Sequence, residues 1–355
     1  MIRAYTLLCG MPRSGTTWLG KIFDSHPETL YRHEPDSGKV LRSVPLVASI
    51  ADRDAYRSFL REFIKGLPAL RTVRVAGSLP VFPKRYYTPA HLQLRRLAIG
   101  ASRAAELCHA NLPVIDLIDY EKIAGLHIVW KSIESMGRIG VLAHAAPECR
   151  IIVLLRHPCG YIASVLNGED GNQFCGATTS GEDFPVFEML LQRSPHKDRN
   201  PRLEDLRAMS TVERLAWRWL LYNEIALADI DGVEHGSAVR YEDLCFDPVH
   251  TARDLLHRAG LDWHPQVEHF IARSTGRSSA RYYSVFKNPH ESAMKWRRQL
   301  SAGSIAVIMS VVSKSPLARI YSAAADFRRE RIAPDLLSSI AYRETRGDRG
   351  DLSTT

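Results

Sequence analysis

Two stretches of the chain combine residue types that can hold an anionic group. Gly10-Met-Pro-Arg-Ser-Gly-Thr-Thr17 has the G-x-x-x-x-G spacing of a phosphate loop. Its glycines permit tight turns, so consecutive N–H groups can converge on an anion at the start of a following helix. Where a nucleoside-triphosphate loop carries lysine this one carries Thr16, and the nearest cation is Arg13. The loop therefore suits a 5′-phosphate bearing a group to be transferred better than a Mg²⁺-bound triphosphate. Further along, Arg156 closes the apolar run Arg150 to Leu155, and Ser164 follows. An arginine at a strand end and a hydroxyl on the next helix's second turn can grip one phosphate from two sides. Each charge-assisted bond would contribute about 1.5–3 kcal/mol.

Both stretches need a strand before them and a helix after them. Ala4 to Cys9 reads as a strand, Gly10 to Gly15 as a loop, and Thr16 to Ser25 as a helix with Leu19, Ile22 and Phe23 on one side. Arg150 to Leu155 reads as a second strand, Arg156 to Gly160 as a turn and Tyr161 to Leu166 as a helix. Val129 and Val239 to Tyr241 mark further strands. Ser210-Thr-Val-Glu213 has the form of a capping box opening a helix through Trp217, Trp219 and Ile225. Pro248 to Arg258 reads as a helix stopped by Gly260. Alternating strands and helices predict an α/β fold of the P-loop type, a central parallel sheet flanked by helices. Residues 36–125 and 167–208 break the alternation and are expected as helical or loop insertions over the sheet's carboxyl edge, where such folds bind ligands. In the second insertion, Gly168, Gly171, Gly176 and Gly181 precede Phe184, Phe187, Leu190 and Leu191, a pattern that fits a substrate lid. A single domain over 1–343 is expected, with a charged, apolar-poor, disordered tail over 344–355.

Composition narrows the class. No run approaches the roughly 18–20 apolar residues that span a bilayer; Ile305 to Val312 reads instead as a buried helix, and Tyr5 to Cys9 is too short for a secretory leader. The six cysteines show no C-x-x-C pair, which in a 355-residue chain suggests reduced thiols and a cytoplasmic setting. His33-Glu34 and His290-Glu291 lack the second histidine of a zinc motif, so no metal site is expected. A formal net charge of +8 favours anionic ligands.

Pro12-Arg-Ser-Gly-Thr-Thr-Trp18, with Asp24-Ser-His-Pro27 after its helix, resembles the 5′-phosphosulfate loop of sulfotransferases that use PAPS (3′-phosphoadenosine-5′-phosphosulfate). Its Arg-Ser-Gly-Thr-Thr is closer to the carbohydrate and tyrosylprotein branch than to the cytosolic aryl branch. Arg150-Ile-Ile-Val-Leu-Leu-Arg-His-Pro158 with Ser164 is similar to the family's 3′-phosphate motif. Tyr241-Glu-Asp-Leu244 resembles its acidic strand end, read here as structural, and Lys295-Trp-Arg-Arg298 its C-terminal segment over the nucleotide. The resemblance covers about residues 5–35, 128–168 and 238–300, and implies sulfuryl transfer from PAPS, without a metal, to an acceptor hydroxyl on a glycan, lipid, small alcohol or tyrosine. It implies donor contacts from Arg13, Ser14, Gly15, Thr16, Thr17, Trp18, Arg156, Ser164, Lys295, Trp296 and Arg297. Such a transfer needs a base for the acceptor and cations where charge grows. Glu34 corresponds to the family's base, with His33 as the rival. Lys131 matches the lysine beside the transferring group, and Arg13 would share its duty. A carboxylate base would put the acidic limb of kcat/KM near about 4.3 and an imidazole near about 6.5.

Two other functions fit parts of the pattern. A P-loop kinase would need the lysine that Thr16 replaces and a Mg²⁺-binding carboxylate at a strand end. A non-catalytic polyanion-binding protein, nucleic acid or heparin being the ligand, fits the charge and the Arg95-Arg96 and Arg297-Arg298 pairs, but the basic residues are scattered and no reading motif accompanies them.

Overall fold

Five strands form one sheet: β1 Ala4–Cys9, β2 Thr29–His33, β3 His127–Ser132, β4 Arg150–Leu155 and β5 Gly236–Arg240. The structure is a computed structural model, and it describes residues 4–37, 40–110, 112–116, 118–170, 179–276 and 288–321. The tail expected over 344–355, and Gly171 and Gly176 of the second insertion, lie outside them. Every pairing is parallel, in the order β2-β3-β1-β4-β5. The α/β architecture expected from the sequence is the one observed, and the first helix, Thr16–Asp24, begins where the loop reading placed it.

Alternate residues of the central strands enter two separate cores. Leu7, Cys9, Ile128, Trp130, Ile151, Val153 and Leu155 pack on one face, with apolar residues of the helices Ile139–Ala145, Pro158–Asp170 and Thr211–Ile230. Leu8, Val129, Ile152, Leu154 and Val239 pack on the other, with those of Thr16–Asp24, Pro248–Arg258 and Pro265–Thr275. This is why the strands read as continuous apolar runs: both faces are covered. Each fully buried Leu, Ile or Val contributes about 1.5–3 kcal/mol.

Parallel strands bring their carboxyl ends to one edge. Cys9 lies in register with both Ser132 and Val153, His33 with Lys131, and Leu155 with Arg240. β1 and β4 are neighbours, yet the chain leaves β1 toward β2 and leaves β4 toward β5, in opposite directions. That divergence opens a crevice outside their carboxyl ends, the usual ligand position in open α/β sheets.

Several expectations are corrected. The second helix starts at Pro158 rather than Tyr161, since proline suits the first helical position. Ser210 Oγ caps the Glu213 amide at 3.3 Å, and that helix runs on to Ile230. The segment Ile305 to Val312 belongs to a helix, Ala302–Val312, that buries only one face, with Val307 exposed. The insertion 36–125 is helical, carrying Arg53–Gly66, Val73–Ala76 and Pro89–Leu107. In the second insertion, Phe187 and Leu190 are fully buried on a helix, Phe184–Arg193, that packs on Thr211–Ile230. They build the core instead of facing an acceptor.

Candidate active site

The loop after β1 is held in a tight turn. Arg13 and Gly15 have positive φ, 71° and 91°. A side chain at Gly15 would collide with the Tyr241 ring, and one at Gly10 would come within 2.8 Å of the Leu154 carbonyl. These two positions therefore require glycine. The Ser14 amide donates to Met11 O at 3.1 Å and the Trp18 amide to Gly15 O at 3.0 Å. Thr16 and Thr17 open the helix, so their amides precede its hydrogen-bonding ladder, and no side chain caps that end. An anion fits there.

The turn after β4 faces this loop across the crevice. Arg156 is buried, with Nη1 donating to Arg13 O, Nη2 donating to Ser292 O at 3.1 Å, and its guanidinium 4.9 Å from the Tyr241 ring centre. Its buried Nε has no hydrogen-bond partner among the described residues. Arg13 Nε donates to Ser164 Oγ at 3.2 Å. Arg13, Ser164 and Arg156 thus form one cluster, and the Arg13 side chain turns to Ser164 rather than toward Lys131, where it was expected. The segment Pro289–Met294, just before the expected Lys295 to Arg298, brings the Ser292 carbonyl to Arg156.

Two expected contacts point elsewhere. The Trp18 ring faces the core and donates from Nε1 to Ser274 Oγ at 3.0 Å. Trp296 is buried and stacks on His157 at 4.5 Å, with Arg297 lying over its ring at 5.2 Å. Both tryptophans support the loops from behind. Lys295 is half-buried at the end of Pro289–Met294.

At the other end of the edge, Lys131 on β3 lies in register with Leu8, two residues before the loop. Its ammonium is buried and ion-paired with Glu34 Oε1. Glu34 follows β2 with φ 47°, a left-handed conformation uncommon for a residue with a side chain, and its amide donates to Lys131 O at 2.8 Å. Its second oxygen meets Arg74 Nη2 at 3.1 Å, and His33 Nε2 lies 3.8 Å from Oε1. Burial pushes the Glu34 carboxyl up, but Lys131, His33 and Arg74 together outweigh it and hold its pKa at about 2. Burial, and then the Lys131 charge, lowers His33 to about 3. Lys131 is itself lowered by burial, against the pull of Glu34. Tyr31 shares a hydrogen bond with His33 Nδ1 at 2.9 Å. With the Tyr31 O–H donating there, the imidazole proton sits on Nε2 and faces Glu34, leaving neither nitrogen to act as base. Both candidates thus lie below their ordinary values, Glu34 because its cationic neighbours outweigh burial and His33 because it is buried beside Lys131.

Arg74 gave no sequence signal, standing 40 positions from Glu34 inside an insertion. Asp36 was also missed. It is buried and accepts from the Ser132 and Ser135 hydroxyls, which ties the chain after Glu34 to the end of β3. Both hydroxyls meet Oδ2 of Asp36, and no cluster of metal-ligating side chains occurs among the described residues.

A glycine loop after β1 and an arginine turn after β4 face one another at the carboxyl edge of the α/β sheet, an arrangement suited to an anionic ligand. The sequence profile of the sulfotransferase family matches residues 6–176. Carbohydrate sulfotransferase 3 of Mus musculus is 43% identical over 333 residues, covering 83% of this chain and 63% of that protein. Its Homo sapiens counterpart is 30% identical over 335 residues, covering 83% and 62%. Over residues 6–176 the chain is similar to the sulfotransferase family, and over most of its length to these carbohydrate sulfotransferases. It spans less than two thirds of the length of these curated relatives. Among solved structures, the sulfotransferase domain of the Synechococcus PCC 7002 olefin synthase superposes with a TM-score of 0.45 at 17% identity, covering 91% of this chain and 97% of that one.

Proposed function

We propose that this protein transfers a sulfuryl group from PAPS to a hydroxyl of a carbohydrate acceptor, without a metal ion. The observation that carries this reading is the meeting of two anion grips, Gly10 to Thr17 and Arg156 with Ser164 and Arg13, one strand away from the Lys131–Glu34 pair. The bound donor supplies an activated sulfuryl group. The amides of Thr16 and Thr17 hold its 5′-phosphate, and Arg156 and Ser164 hold its 3′-phosphate. The acceptor class is drawn from the relatives' names; lipid, small alcohol and tyrosyl acceptors are the alternatives.

Lys131 and Glu34 supply the proton and charge chemistry. In the resting site Lys131 spends its charge on Glu34, and a carboxylate held at about 2 is a weak base. An anion in the neighbouring loop competes for Lys131. As the ammonium turns toward it, Glu34 loses its strongest partner, its pKa rises toward the ordinary carboxylate range, and it accepts the acceptor's proton more readily. Lys131 meanwhile stabilises charge growing on the transferring group. Donor binding thus readies the base.

Titration calorimetry with PAP, the desulfated donor, tests the binding half. Affinity should be the same in excess EDTA and in Mg²⁺, and ATP and duplex DNA should bind far more weakly. Strict Mg²⁺ dependence or a preference for ATP would instead indicate a kinase, and preferential DNA binding a polyanion-binding protein. Radiolabelled PAPS offered with glycan, lipid, alcohol and tyrosyl-peptide acceptors tests the other half; labelling confined to a non-glycan class overturns it.

A further inference from the structure

The peptide unit between Arg156 and His157 is pinned at both of its polar ends. Its carbonyl accepts from Trp219 Nε1 at 2.9 Å, and its N–H donates to Glu242 Oε1 at 3.0 Å. Glu242 has no exposed surface, and its other oxygen accepts from the Tyr321 hydroxyl at 3.4 Å. Rings close the arrangement: His157 stacks on Trp296 and meets Tyr321 edge-on at 5.3 Å, while Trp219 meets Tyr321 at 5.7 Å. The residue before Glu242 touches both donor grips. The Tyr241 ring lies against Gly15 of the first loop and beneath the Arg156 guanidinium of the second.

Nothing in simple packing calls for a carboxyl at this position. Burial pushes Glu242 up to about 7, although the His157 amide and the Arg156 charge pull the other way. A buried ionisable group of this kind costs stability compared with a well-packed apolar side chain. What it gains is direction, because fixing one peptide plane fixes where the Arg156 side chain starts.

We infer that Glu242 is a positioning residue for the donor's 3′-phosphate, aiming Arg156 by holding the Arg156–His157 peptide. The inference rests on the donor reading above. It assigns to the Tyr241-Glu242 pair the task of registering the 5′-phosphate loop against the 3′-phosphate turn.

The test compares PAP with adenosine 5′-monophosphate, which lacks the 3′-phosphate, on folded protein verified by its melting transition. Glu242→Met keeps the volume and removes the acceptor; it should weaken PAP on the order of tenfold or more while changing the monophosphate less than about threefold. Glu242→Gln retains an oxygen for the His157 amide and should restore PAP to within about threefold of wild type. Tyr321→Phe, a milder cut, should show the same selectivity at smaller size and serves if the methionine variant does not fold. Equal losses for both ligands, or no loss for either, overturn the inference while leaving the donor reading intact. A wild-type protein that fails to bind PAP at all would overturn the donor reading, and this inference with it.

Discussion

The two ends of the sheet edge solve their problems with different materials. In the crevice between β1 and β4, the polar groups are backbone amides, the Ser164 hydroxyl and the Arg13 and Arg156 guanidiniums, braced by aromatic rings and by the carbonyls of Arg13 and Ser292. At the β2–β3 end, Glu34, Lys131, Arg74 and His33 lie within reach of one another, and their charges decide each other's protonation. The first region is tied together by backbone carbonyls and aromatic rings. The second is held by mutual compensation, so an arriving charge rearranges it. Binding and chemistry should therefore be separable by mutation. The sharpest break is Glu34→Gln, which keeps the shape but cannot take a proton. The rate should fall about 10²–10⁴-fold. PAP affinity should not fall, since Lys131 is released rather than lost. His33→Asn should cost far less, its imidazole being already engaged by Tyr31 and facing Glu34. Steady-state kinetics beside calorimetry decide the matter, and a fully active Glu34→Gln enzyme beside a dead His33→Asn would reverse the roles.

The matching break on the binding side is Arg156→Ala. It should weaken PAP about 10–100-fold, the worth of one or two charge-assisted bonds. Adenosine 5′-phosphosulfate, which has no 3′-phosphate, should lose much less. The ratio between the two ligands is what matters, because Arg156 also ties Arg13 to Ser292 and its removal loosens both. A uniform loss would mean that it only braces the crevice.

The same contrast governs what the sequence revealed. The phosphate loop and the Arg156 turn are local: a strand, a few residues and a helix lie together in the chain, so their chemistry shows in their spacing. Lys131 was found through the family resemblance, as the lysine following the apolar run of β3. Arg74 could not be, since its role depends on the insertion folding back over β2, a packing outcome without periodic trace. β2 itself was overlooked, as Thr29-Leu-Tyr-Arg-His33 carries a fully buried arginine whose donors are met by the Leu67 and Pro68 carbonyls of that insertion. Arg13 was misdirected for a similar reason. Its position in the loop was plain, but its left-handed backbone sends the side chain to Ser164. Glu242 stood inside a recognised motif read as structural, yet nothing linear announces that it holds a peptide 85 residues away.

Arg74 offers the mildest probe of the compensated region. More than half of its side chain is exposed, so solvent screens its charge and its hold on Glu34 is weaker than that of buried Lys131. Removing it by Arg74→Ala should move the Glu34 pKa up from about 2 toward the ordinary carboxylate range. The sign follows from which form works. Glu34 must be ionised to accept a proton, so activity is lost as pH falls through its pKa, and a raised pKa brings that loss to a higher pH. The acidic limb of kcat/KM in the variant should therefore lie above the wild-type limb, while rates near pH 8 differ by no more than about threefold. Stability should follow the same course: a depressed carboxylate stabilises the fold above its unfolded pKa and progressively less below it, so the variant gives up part of that contribution. Parallel pH profiles of kcat/KM and of urea midpoints on the two proteins measure both. Superimposable acidic limbs would show that Lys131 alone sets the base, and that Arg74 merely covers it.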